Sequence, residues 1–198
     1  MAVFFWRYFG IGSNSASSLI NIDTSSWKKG VAFGDSLTAG QGAKSQNGTY
    51  PAQLELLTGF KIVNLGKNGD TTSSAKKRLS MVLAEKPDFV IITLGGNDLR
   101  QKIRTNETVQ NLEFIFREIQ SVGAGVVYLS INPPMVSSEW NAELKRVVHA
   151  NGVLWVDDVM KDLWTNSDLM SDVIHPNEKG YAIIAERAYQ GLQQVVDP

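Results

Sequence analysis

Cysteine is absent from all 198 residues. That excludes disulfides, thiolate-held metals, iron–sulfur clusters and a cysteine nucleophile. It leaves the compartment open, because a cysteine-free chain is at home in either redox environment. Histidine is scarce too: only His149 and His175 occur, too few for a histidine-rich metal site and enough for one imidazole base. An excess of positive charge is missing, with 19 Lys and Arg against 20 Asp and Glu and a net charge of −1, so no nucleic-acid partner is expected. The apolar run of about 20 residues that a spanning helix needs is also lacking. The nearest approach, Met1 to Gly12, is rich in aromatics but interrupted by Arg7, whereas a secretion signal places its charge ahead of the apolar run.

What is present fits one folded domain. Roughly 150 residues per domain sets a default of one. Hydrophobic residues make up 43% and charged residues 20%, a globular balance rather than a disordered one. Residues 1–27 read as an N-terminal arm, with the small polar run Ser13 to Ser18 as a linker, and residues 28–198 as the domain. An export or anchoring segment is the alternative for the arm. Docking on the core, on a partner protomer or on a membrane surface all stay open, as do localisation and oligomeric state.

From residue 28 onward short apolar runs alternate with amphipathic stretches. Strands are expected at 31–33, 61–64, 89–94, 126–130 and 153–156. Helices are expected at 50–57, 73–83, 109–120, 140–150 and 177–195, the third carrying Leu112, Ile115, Phe116 and Ile119 at helical spacing. Phe89 to Leu94 is apolar on both faces, as a buried parallel strand is. The alternation predicts an α/β fold, a three-layer α/β/α sandwich with a mostly parallel five-stranded sheet. Ligands bind such sheets beyond the carboxyl ends of the strands.

Three glycine-bearing loops follow the first three strands: Gly34-Asp35-Ser36-Leu37, Asn64 to Thr72 with Gly66 and Gly69, and Gly95-Gly96-Asn97-Asp98. The first offers a hydroxyl nucleophile and the others expose backbone and amide donors. Taken alone, the first reads equally well as a helix cap, and the other two read better as a turn or cap than as a site. Late in the chain Asp172 precedes His175 by three residues, close enough for a carboxylate to orient an imidazole. Together they fill the roles of acyl transfer: nucleophile, base, orienter and oxyanion donors.

These blocks, in this order, resemble the SGNH or GDSL hydrolases. The segments 64–72 and 94–100, with His175-Pro176-Asn177 and Gly180-Tyr181, are most similar to the compact bacterial thioesterase/lysophospholipase and arylesterase branch. The likeness covers residues 28–195. It implies a flavodoxin-like SGNH fold and a serine esterase or acyl hydrolase that works on carboxylic esters, thioesters or lysophospholipids without cofactor or metal. It implies Ser36 as nucleophile, His175 as base, Asp172 as its orienter, and an oxyanion hole from the Ser36 and Gly69 backbone N–H groups and the Asn97 side chain. Carbohydrate O-acetyl esterase is the alternative on the same scaffold. The Gly-x-Ser-x-Gly elbow of α/β-hydrolases does not occur.

Other polar residues are expected in supporting parts. Asp35 bonds local backbone, Asp70 and Thr71 cap the following helix, Asp98 supports the oxyanion loop or a turn, and His149 is an exposed helix residue. The partner is a small-molecule ester. Ile131 to Val136 places apolar groups near the acyl chain or serves as a rigid connection. The short polar loop 41–49 leaves the site open. Activity is expected to fall on acidification, as it does for an imidazole base.

Overall fold

The computed structural model describes residues 24–134 and 138–196. Most of the arm, together with Met135 and Val136, lies outside the described residues. Five strands form one sheet: β1 (Lys29–Gly34), β2 (Lys61–Gly66), β3 (Phe89–Thr93), β4 (Gly125–Leu129) and β5 (Leu154–Val156). Their order is β2-β1-β3-β4-β5 and every pairing is parallel. The expected sandwich is therefore present, with a sheet parallel throughout.

The strands sort their side chains by the two-residue period of the pleat. Val31, Phe33, Val90, Ile92, Val126 and Tyr128 enter one core. Ala32, Phe89, Ile91, Val127 and Leu129 enter the other. The first core is closed by α3 (Thr72–Lys77), α4 (Leu79–Ala84), α6 (Thr105–Ser121) and α7 (Ser138–Ala150). The second is closed by α2 (Tyr50–Thr58) and α8 (Glu178–Val196). Two further short helices, α1 (Ser36–Ala39) and α5 (Gly96–Arg100), start directly after β1 and β3. Each is four or five residues long, too short for hydrophobic periodicity to announce.

Three differences from the expected elements have physical causes. The strand expected at 31–33 runs from Lys29 to Gly34, because backbone pairing with β2 and β3 extends beyond the apolar core of the run. The helix expected at 73–83 is broken in two at Arg78, whose backbone (φ −113°, ψ 13°) leaves the helical region. The Arg78 guanidinium reaches the sheet, donating to the carbonyls of Leu65 and Gly34 at 2.8 and 3.0 Å. Thr71, not Asp70, caps α3, in a reciprocal pair with Ser74.

Packing also reaches N-terminal of residue 28. Trp27 is buried and stacks on Phe89 at 4.7 Å between ring centroids, and Thr24 Oγ1 donates to Val195 O at 2.7 Å.

The strand order reverses between β1 and β3, so the loops after these two strands diverge to opposite faces and leave a crevice at their carboxyl ends. α1 lies tight against β2 there. A Cβ on Gly66 would collide with the backbone of Ala39, so only glycine lets the segment carrying Ser36 sit this close.

Candidate active site

Asp35 starts the site. Its carboxylate Oδ1 accepts the Leu37 N–H at 3.0 Å and caps α1, so the backbone turns sharply out of β1 and presents Ser36 at the helix start. Ser36 lines a cavity of about 630 Å³ together with Gly69, Asn97 and His175. The lining is otherwise largely apolar: Leu37, Leu99, Ile131, Pro133, Pro134, Trp164, Val173 and Ile174. Ile131, Pro133 and Pro134 thus belong to the wall, as one reading of that segment expected. The loop 41–49 touches the cavity only through Gln41. It is fixed instead to α8, where Ser45 Oγ donates to Glu178 Oε1 at 3.0 Å.

His175 and Asp172 arrive on one short loop. A backbone bridge between Met170 and Pro176 closes its base. Asp172 Oδ1 accepts the N–H groups of Ile174 and His175 at 2.7 and 2.8 Å, and Oδ2 lies 2.8 Å from His175 Nδ1. His175 Nε2 is 2.9 Å from Ser36 Oγ. When His175 Nδ1 carries its proton and donates it to Asp172, Nε2 keeps its lone pair and is placed to accept a hydrogen bond from the Ser36 hydroxyl. Partial burial raises the Asp172 carboxyl, but the bonds from the His175 ring and the two N–H groups outweigh it and hold the group below the ordinary carboxylate range.

Three donors face the cavity beside Ser36. The backbone N–H groups of Ser36 and Gly69 have no hydrogen-bond partner among the described residues. Gly69 has φ 79°, a conformation that glycine adopts without strain. The third is Asn97 Nδ2. One of its N–H groups is spent on Asp70 O at 3.0 Å, and the other is held only weakly, 3.4 Å from Asp35 Oδ2. Arg100 Nη2 donates to Asn97 Oδ1 at 3.1 Å, which fixes the amide orientation from its other end.

The supporting carboxylates divide the work. Asp98 is fully buried and accepts from the Thr72 N–H at 2.9 Å, from Thr72 Oγ1 and from Thr108 Oγ1 at 3.2 Å. It ties the loop after β2 to α5 and α6. Burial raises its carboxyl, opposed by those threonines. Asp70 accepts from Ser74 Oγ at 2.9 Å and pairs with Arg78. Asp35 is 4% exposed. Burial pushes its carboxyl up to about 7, against the Leu37 bond and reinforced by Asp70 and Asp98. His149 is exposed in the last turn of α7 and is not among the residues that line the cavity. Arg78, Arg100, Gln41 and Trp164 were not anticipated as contributors. Arg100 had a legible signal, three residues after Asn97 on one helix face.

The sequence profile of the GDSL-like Lipase/Acylhydrolase family matches residues 32–183. The chain belongs to this family. It is a carboxylic ester hydrolase, in a family of serine-based catalysis. The GDSL hydrolase is 27% identical over 176 residues to thioesterase 1/protease 1/lysophospholipase L1 of Escherichia coli (strain K12), covering 84% of each chain. It is 28% identical over 176 residues to an arylesterase of Vibrio mimicus, covering 83% of this chain and 88% of that one. A crystal structure of TesA superposes with a TM-score of 0.76 at 26% identity, covering 84% of this chain and 98% of the other.

Proposed function

We propose that this GDSL hydrolase cleaves short- to medium-chain acyl esters through a Ser36–His175–Asp172 relay and an acyl-enzyme, with thioesters and lysophospholipids within the same chemistry. The observation that carries the reading is the 2.9 Å contact between Ser36 Oγ and His175 Nε2, backed by the 2.8 Å contact from His175 Nδ1 to Asp172. A serine hydroxyl is a poor nucleophile until a base takes its proton. His175 takes it as Ser36 attacks the carbonyl carbon, then returns it to the leaving oxygen or sulfur. Asp172 holds the tautomer and stabilises the imidazolium.

The carbonyl oxygen becomes an anion facing the Ser36 N–H, the Gly69 N–H and Asn97 Nδ2. Donors already in place lower the barrier because little reorganisation is needed during reaction. The oxyanion displaces the weak Asp35 contact of Asn97 and leaves the Asp70 contact intact. Water then attacks the acyl-enzyme by the same route. No step draws on a metal. The apolar wall of Leu37, Ile131, Pro133, Pro134 and Trp164 accommodates an acyl chain.

The test is hydrolysis of 4-nitrophenyl acetate, butyrate and octanoate by wild type and Ser36→Ala, with EDTA present. Expected are an active wild type insensitive to EDTA, with butyrate or octanoate turned over, and a variant reduced by orders of magnitude. If medium-chain esters are refused while acetylated glycans turn over, the substrate reading is wrong and carbohydrate O-acetyl esterase replaces it. If Ser36→Ala keeps wild-type activity, the relay itself is refuted.

A further inference from the structure

Of the polar side chains lining the cavity, Ser36, Asn97 and His175 serve the proposed reaction and Asp35 is buried in hydrogen bonds with the backbone and Asn97. Gln41, Arg100 and the indole N–H of Trp164, unpartnered among the described residues, remain, and Arg100 is the one cation among them. It closes α5, exposed to solvent, and is anchored through Nη2 to Asn97 Oδ1 at 3.1 Å. No carboxylate pairs with it among the described residues, whereas Arg78, Arg117 and Arg146 each hold one. A guanidinium carries five N–H donors, so most of those on Arg100 are free for a ligand. The anchor limits the rotamers of a long side chain, which lowers the entropy lost when a second bond forms.

We infer that Arg100 is a specificity-determining residue that favours esters bearing a carboxylate or phosphate near the scissile bond. The inference rests on the reading of Ser36 as nucleophile and Asn97 as oxyanion donor. The spacing follows from the chain of contacts. The substrate oxygen sits on Asn97 Nδ2, Arg100 sits on Oδ1 of the same amide, and the anion sits on the outer face of the guanidinium. Two hydrogen bonds across one amide put Arg100 Nη2 about 6–7 Å from the substrate oxygen, and an anion one further hydrogen bond out lies roughly 8–10 Å from it. An extended six-carbon dicarboxylate monoester, about 8 Å from ester oxygen to carboxylate oxygen, reaches the near end of that range. The fork of the guanidinium favours two parallel bonds to such a group, a geometry that lysine cannot reproduce.

Two substrate pairs test this, one for each side of the ester. 4-Nitrophenyl hydrogen adipate against 4-nitrophenyl hexanoate places the anion on the acyl side. 4-Butyryloxybenzoate against 4-butyryloxybenzamide places it on the leaving group. The readout is the ratio of kcat/KM, anionic over neutral, in wild type, Arg100→Gln, Arg100→Lys and Arg104→Gln. The ratio cancels any general loss from disturbing Asn97. Expected is a fall of about tenfold or more in Arg100→Gln for at least one pair, partial retention in Arg100→Lys, and no change in Arg104→Gln. An unchanged ratio in both pairs, or an equal fall in Arg104→Gln, overturns the inference.

Binding separates its failure from failure of the esterase reading. Monomethyl adipate is titrated calorimetrically into Ser36→Ala with and without Arg100→Gln. Affinity at least about tenfold weaker in the double variant supports the anion site even if no ester is turned over. Equal affinity refutes it even in an active esterase.

Discussion

Replacing Arg78 with methionine removes a cation from the junction of β1, β2 and α3. The guanidinium pairs with Asp70, donates to Leu65 O and Gly34 O at 2.8 and 3.0 Å, and lies 4.4 Å from the centroid of the Phe33 ring. The Arg78 and Asp70 side chains are 14% and 2% exposed, so water cannot replace the lost partner. Removing one member of such a pair costs about 3–5 kcal/mol. Methionine keeps much of the packing on Phe33, so the Asp70 carboxylate and the two carbonyls dominate the loss. With a urea slope near 2 kcal/mol per molar, the unfolding midpoint should fall by about 2 M. Asp70→Asn in the Arg78→Met background should recover about 1–3 kcal/mol relative to additivity, because the stranded charge is gone.

The same variant should lose activity while still folded. Asp70 O holds Asn97 Nδ2 at 3.0 Å, so a shift of that loop moves the proposed oxyanion donor, and a displacement near 1 Å costs about a hundredfold in rate. Urea unfolding and 4-nitrophenyl butyrate hydrolysis measure the two effects. A loss of stability under about 1 kcal/mol, or strict additivity with Asp70→Asn, would show that Arg78 is an ordinary surface arginine.

Asn97→Ala should lower kcat by about 10²–10³ with KM little changed, since the donor acts mainly on the developing oxyanion; a decrease of only a few-fold in steady-state assays would remove Asn97 from that role. Asp35→Asn should alter the pH dependence of stability. The Asp35 carboxyl titrates near 7 in the folded chain and near 3.9 when unfolded, so its protonated form favours folding below pH 4 and that advantage disappears as pH rises to 7. Relative to wild type, Asp35→Asn should therefore gain stability between pH 4 and 7.5, by up to about 4 kcal/mol. Urea titrations at several pH values check this, and a pH-independent difference would refute it.

The sheet was legible because its strands carry short apolar runs, buried on both faces in Phe89 to Thr93, and because the loops between them carry the glycines. The residues at the candidate site were legible because they stand at strand ends or within three positions of one another. Asp172 and His175 meet on one loop, and Ser36 and Asn97 open short helices. What stayed hidden depends on contacts distant in sequence. Arg78 lies 44 residues from Gly34, whose carbonyl it binds, and nothing local in Thr72 to Ala84 announces the break it makes. Asp98 reaches Thr72 across 26 residues, so its support of the loop after β2 could be weighed in the sequence against a turn role but not decided. Asp70 fitted a cap by pattern, and the nearby arginine claimed it instead.

The closed loop from Met170 to Pro176 has a consequence for how such hydrolases change over evolutionary time. Its bridge, its two N–H bonds to Asp172 and the Asp172–His175 contact are all internal to seven consecutive residues. The proposed proton acceptor and its orienter therefore travel as one cassette, whose internal distances survive drift or insertion elsewhere in the chain. Only the docking of the cassette against Ser36 has to be maintained. Val173 and Ile174, exposed at its tip, are thus free to vary, and the cavity rim can be retailored there without rebuilding the relay behind it.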